Sequence, residues 1–148
     1  MHVFNPKKGI KLLLPIFGVL TLLLIPTFII LISIKASTII WITLLLFAYT
    51  FITIIYLIAQ KKTIYWTENE TLYYKTLFMK GAMDIRSIRK LEVNATNWLS
   101  NKPATTFTNG INIIYNKFDD IYVSPEDNDT FVEELLKINP SIVVKYLK

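Results

Sequence analysis

Asp120-Ile-Tyr-Val-Ser-Pro-Glu-Asp-Asn-Asp-Thr-Phe-Val-Glu-Glu-Leu-Leu-Lys-Ile-Asn-Pro140 changes its period half-way along. Up to Val123 it is a short β-branched and aromatic run, the pattern of a strand. Beyond it, Phe131, Val132, Leu135, Leu136 and Ile138 recur at helical spacing and form one apolar stripe. Ser124 suits a helix cap, Pro125 the first helical position, and Asp127 stands three after the serine as in a capping box. Glu126, Asp127 and Asp129 put negative charge at the positive end of the helix dipole. Asn139-Pro140 stops the run. The expectation is a strand followed by an amphipathic helix from Pro125 to Ile138, which seals one open end or face of a sheet.

The rest of that sheet is written upstream. Thr63 to Thr67 and Thr71 to Phe78 are strand-like runs separated by Glu68-Asn69-Glu70, a hairpin pattern. Met79 to Ala82 reads as a turn, and Lys90 to Asn94 as a half-buried strand with Leu91 and Val93 inward. Ala95 to Pro103 is a polar loop carrying Trp98. Asn109-Gly110 is a strong hairpin signal, expected to join Thr105–Phe107 to Ile111–Tyr115. Ile142 to Tyr146 reads as a closing strand or a tail. Strands followed by one amphipathic helix make an α+β arrangement.

Within these residues lies a resemblance. The strand, the Ser-Pro pair, the acidic helix with Phe131, Val132 and Leu135, and the terminal Asn139-Pro140 resemble the C-terminal signature of bacterial pleckstrin-homology-like (PH-like) domains of the YyaB-like kind. Thr67 to Tyr74 and Ile85 to Leu91 are similar to the opening hairpin and third-strand region of that family. The resemblance runs from about Thr63 to Ile142. It implies a small PH-like split β-barrel closed by the helix, and a two-helix anchor is a common companion of such domains.

The first part of the chain obeys different rules. Between Leu12 and Ile58 the one charged residue is Lys35, which divides the apolar run into two lengths. Each is long enough to cross a hydrocarbon core of about 30 Å, which needs roughly 20 helical residues. The predicted helices, about 12–34 and 38–59, form a transmembrane hairpin. Pro26 is expected to kink the first, and the threonines of both bond back to their own helix backbone. The expected domains are therefore residues 1–62, an N-terminal segment plus the hairpin, and residues 63–148, the PH-like domain. A cleaved signal peptide is the rival reading, disfavoured by the length of the apolar run and by Ile34 at the critical position.

Charge supports this division. No acid precedes Glu68, whereas Lys7, Lys8, Lys11, Lys35, Lys61 and Lys62 flank or divide the apolar segment. The overall +5 thus belongs to the flanks, which excludes the basic folded face that nucleic-acid binding needs. The positive-inside rule puts both termini in the cytoplasm at the inner membrane.

Chemistry is sparse. Cysteine is absent, so disulfides, thiol catalysis and cysteine-based zinc sites are excluded. His2 stands in an N-terminus expected to fray, and no glycine-rich phosphate loop occurs. Asp119-Asp120 are strand neighbours that point apart. Neither a catalytic constellation nor a cofactor or metal site is expected. Phosphoinositide-binding PH domains hold phosphates with basic residues around the loop between their first two strands. The matching loop here is Glu68-Asn69-Glu70, so phosphoinositide binding is disfavoured. Arg86, Arg89 and Lys90 are the candidate contact for a partner or lipid headgroup. Tyr65, Tyr73, Trp98 and Tyr122 are expected to offer surface for strand addition or packing. The expected function is a non-catalytic binding or self-assembly module integral to the membrane, with a protein partner or a second copy. The alternative is envelope defence against membrane-active peptides.

Overall fold

In the computed structural model, residues 1–8, 16–22, 24–25, 38–97 and 103–147 are described. They fall into two units, Met1–Lys8 with Ala59–Lys148 and Gly9–Ile58.

In the Gly9–Ile58 unit, residues 16–22 and 24–25 are helical. Helix α1, Thr38–Lys62, starts in this unit and ends in the other. Ile39–Lys62 is the one candidate membrane span among the described residues. A complete two-helix hairpin is therefore not seen: the predicted turn at Lys35, Pro26 and most of the first predicted helix lie outside the described residues. The helical pieces touch, with Phe17 and Tyr49 edge to face at 5.0 Å and the Thr21 and Tyr49 hydroxyls hydrogen-bonded. Thr21, Thr43 and Thr53 each donate to the carbonyl four residues back, so each hydroxyl is satisfied on its own helix.

The other unit is two four-stranded sheets with a helix. Its strands are β1 (His2–Phe4), β2 (Ile64–Glu68), β3 (Thr71–Lys75), β4 (Lys80–Asp84), β5 (Ile88–Ala95), β6 (Gly110–Tyr115), β7 (Asp119–Val123) and β8 (Val143–Tyr146). Helix α2 spans Asn128–Ile138. The sheet orders are β1-β2-β3-β4 and β7-β6-β5-β8; β8 lies parallel to β5, and every other pairing is antiparallel. The architecture is α+β, but the sheets are open and do not close into the expected barrel. Where β1 runs out, an isolated bridge joins Pro6 to Pro125, flanked by Lys7 N to Ser124 O and Glu126 N to Asn5 O, 2.9 and 2.8 Å. Neither proline has an N–H to donate, so no ladder propagates from there.

Strand β1 is the element that local sequence conceals. The expected division leaves residues 1–8 with the anchor, and His2 was expected to fray. In the structure His2, Val3 and Phe4 pair with Thr67, Trp66 and Tyr65. Phe4 is buried and meets Phe131 of α2 edge to face at 4.9 Å. This also moves the helix start. Residues 124–126 are pinned by backbone hydrogen bonds against residues 5–7, and α2 begins at Asn128, not Pro125. Its cap is Asp127, whose Oδ1 accepts from Asp129 N and Thr130 N. Ser124 is fully buried, and its Oγ accepts from Thr105 N at 2.8 Å. The stripe behaves as read: Phe131, Val132 and Leu135 are buried, and Leu136 and Ile138 pack on the core.

Three further features differ from expectation. β3 ends at Lys75, and the turn is Thr76–Met79, because Lys80 and Gly81 already pair with Lys75 and Tyr74. Thr105–Phe107 is not a strand, and β6 pairs with β5 and β7 instead. Tyr65 and Tyr122, expected at the surface, are fully buried. Each is a hydrogen-bonded post: Tyr65 Oη donates to Pro103 O at 2.6 Å and accepts from Ser124 N at 3.2 Å. Tyr122 Oη donates to Ala95 O and accepts from Gly110 N, both at 3.0 Å. Their burial depends on neighbours remote in sequence, which strand alternation cannot report.

Candidate functional site

Each cation of the expected basic cluster has neighbours of its own. Arg86 lies in a 3₁₀ turn, Ile85–Ser87, started by Asp84, whose Oδ1 accepts from Arg86 N at 2.8 Å. Its guanidinium pairs with Glu70 Oε1 at 2.6 Å. Arg89 occupies a bulge in β5, where Ile88 opposes Tyr115 but Lys90 opposes Ile114. The extra residue re-aims its side chain, which donates to Asn116 O and Lys117 O, both at 3.3 Å. Lys90 pairs with Glu92 Oε1 at 2.6 Å, and Asn112 Nδ2 reaches the other carboxylate oxygen. The Lys90 hydrogen bond is the main reason the Glu92 carboxyl sits below its ordinary pKa. Each of the three cations thus has its own partner.

The loop that would hold a phosphate carries carboxylates. Asn69 and Glu70 have φ of 48° and 62°, the conformation of a type I′ hairpin turn. Glu70 is committed to Arg86. An anion entering this loop would meet Glu68 and Glu70 before any free cation.

The exposed apolar surface is elsewhere in this unit. The β3–β4 turn, Lys75-Thr-Leu-Phe-Met-Lys80, leaves Phe78 80% exposed, with Leu77 and Met79 partly exposed. Thr76 braces it: Thr76 N donates to Met79 O at 2.7 Å, and Thr76 Oγ1 accepts from Met79 N at 3.0 Å. The β6–β7 turn leaves Phe118 85% exposed, with Lys117 Nζ 5.3 Å from its ring centroid. Tyr74, at the end of β3, lies close enough to Tyr115, at the end of β6, to help raise the pKa of the Tyr115 hydroxyl, though burial and Asp119 do more. Sequence reasoning missed both turns. The available signal was Leu-Phe-Met between two lysines, apolar residues where a turn normally carries polar ones.

Acidic residues near α2 have structural partners. Asp127 caps the helix, and Asp129 accepts from the Tyr146 hydroxyl at 3.0 Å. No group of three His, Asp or Glu converges among the described residues.

Residues 63–139 match the family model of the bacterial PH domain. The chain belongs to this family. The match ends on a residue with a clear duty in the PH domain: Asn139 caps α2, is buried, and donates from Nδ2 to Ile85 O and Ile88 O at 3.0 and 3.2 Å. It ties the helix to the turn before β5. PH domains are generally non-catalytic modules for binding proteins or lipids. Strands β1 and β8 lie outside the matched residues. No curated protein and no solved structure matches the chain.

Proposed function

We propose that this chain is a membrane-anchored PH-domain protein that crosses the inner membrane twice and presents a non-catalytic binding or self-assembly module to the cytoplasm. One observation carries the reading. β1 precedes the apolar segment and β2 follows it, yet they are neighbours in one sheet. A chain that leaves a domain and returns to the same domain crosses a bilayer an even number of times. Given α1 as one span, the apolar run before it supplies the other. Contact of Phe17 and Thr21 with Tyr49 supports this pairing of helices, and the flanking lysines favour cytoplasmic ends.

Single cysteines test this in a chain that has none. His2→Cys and Lys137→Cys, at exposed positions, should react with an impermeant maleimide only after lysis. Lys35→Cys should react in intact cells. Different accessibility at positions 2 and 137 would rule out the even crossing, and labelling of both in intact cells would invert the orientation.

For the module itself, Arg86 and Arg89 are exposed and remain, with Lys90, the proposed contact for an acidic partner or headgroup. Replacing all three by Gln should weaken crosslinking to a partner, or between copies, in native membranes; unchanged crosslinking would discard this site. The Ser124-Pro125 pair and the terminal Asn139-Pro140 are what support placement within the YyaB-like kind. Nothing favours the envelope-defence alternative.

A further inference from the structure

The geometry points to the β3–β4 turn, Lys75–Lys80, as a bilayer-docking tip that inserts Phe78 among lipid headgroups beside the end of α1. The inference rests on the membrane-anchored reading above.

Three observations converge. First, there is no linker. Thr63 N and Oγ1 both bond to Ala59 O, at 3.0 and 2.7 Å, and β2 starts at Ile64. Gln60 and Thr63 are buried, so the last helical turn is set into the PH unit. Second, the register brings the tip alongside: Ile64 pairs with Lys75, and Lys75 with Lys80. At about 4.8 Å between strands, these lie roughly 5 and 10 Å from Ile64. The antiparallel turn projects beyond that row, against the direction of β2, on the side from which the chain arrives. A headgroup layer about 5–8 Å deep begins where a span ends. Third, the chemistry fits this layer. Leu77, Phe78 and Met79 crown the turn, Lys75 and Lys80 pair at its base, and Lys61 and Lys62 close α1. Apolar residues enter the acyl boundary while cations meet anionic phosphates. The Thr76 bonds hold the tip in shape before it docks.

The partner is the lipid–water interface of an anionic bilayer. The consequence is mechanical: two attachments, α1 and the tip, would fix the face that the PH domain turns to the cytoplasm.

The test uses the full chain in phosphatidylethanolamine–phosphatidylglycerol vesicles. A nitroxide or an environment-sensitive fluorophore is placed at Phe78→Cys and, as reference, at Asn69→Cys in the β2–β3 turn at the other end of the hairpin. Expected is a several-fold lower accessibility to a water-soluble quencher at 78 than at 69, with quenching at 78 by lipids labelled near the headgroup. Because a probe at 78 is itself apolar, a second probe at Lys80→Cys leaves Phe78 in place. Its protection should disappear when Leu77, Phe78 and Met79 become Ser. Equal aqueous access at 78 and 69 overturns the proposal. So does protection at 78 without lipid quenching, which would indicate protein cover. Either failure leaves the two-span reading intact, since that reading is decided by maleimide access at positions 2, 35 and 137.

Discussion

Phe4 and Phe131 meet edge to face with 4.9 Å between ring centroids, although the whole apolar segment lies between them in the chain. Phe131 also faces the Tyr65 ring at 6.3 Å. The first strand is therefore part of the core of the PH unit, not a tail on it. Phe4→Ala should cost about 3 kcal/mol, from lost burial and the cavity left against Phe131. Thermal unfolding of the purified chain in detergent should show a clear fall in Tm, with Phe4→Leu between the two. An unchanged Tm would mean that β1 does not dock.

Asn139 serves two buried carbonyls and, through Oδ1, accepts from Ser141 N and Oγ. Asn139→Ala removes this shared donor, although Ile85 O keeps the Ile88 N–H, and should cost about 1–2 kcal/mol. Asn139→Asp should be worse, since a carboxylate oxygen replaces the donor and faces those carbonyls. Denaturant midpoints for the two variants check the order.

Burial first of all pushes the Tyr65 hydroxyl up to about 12 from its ordinary 10.0. The folded state therefore keeps this proton at a pH where the unfolded chain has released it. Its contribution is complete below about pH 10 and fades as pH rises to about 12, by roughly 3 kcal/mol. Tyr122 is shifted in the same direction and adds to the slope. Tyr65→Phe should lose about 1–2 kcal/mol at neutral pH, with Ser124 N and Pro103 O left unpaired. It should also flatten the alkaline slope, as read from unfolding midpoints across that range. A variant with the wild-type slope would refute the assignment.

Gly110 is needed for space. A Cβ there would lie 2.5 Å from Val123 O and 2.6 Å from the Tyr122 ring. The positive φ of this turn belongs to Asn109, at 56°. Gly110→Ala should cost about 1–3 kcal/mol through overpacking against backbone that cannot swing away. Asn109→Gly should be neutral or nearly so, because glycine adopts that φ without strain. Paired thermal melts separate the two causes.

Much of this architecture is written locally. The apolar stripe of α2 follows from side chains three and four apart on one helix, and the β2–β3 hairpin from two strand-like runs around Glu68-Asn69-Glu70. The length and apolarity of residues 38–62 mark a candidate span whatever packs beside it. Asn139-Pro140 ends α2 because proline cannot continue a helix.

Other features depend on partners far away in sequence. His2-Val-Phe4 is too short to show any period, and becomes a strand only because β2 offers an unpaired edge. That docking ties residues 124–126 to residues 5–7 by backbone hydrogen bonds, and so moves the cap from Ser124 to Asp127. The β5 bulge turns Arg89 toward the β6–β7 turn, while Glu70 and Glu92 take Arg86 and Lys90, so three cations close in sequence acquire three different partners. Tyr65 and Tyr122 carry the same alternation signal as exposed tyrosines, and only the second sheet and the loops over them decide their burial. Sequence by itself determined the β2–β3 hairpin, the apolar stripe of α2 and the long apolar helix Thr38–Lys62, because those preferences act within a few residues. The tertiary structure decided which edges pair and which charges are spent, because pairing and ion-pair geometry are set by contacts across the fold.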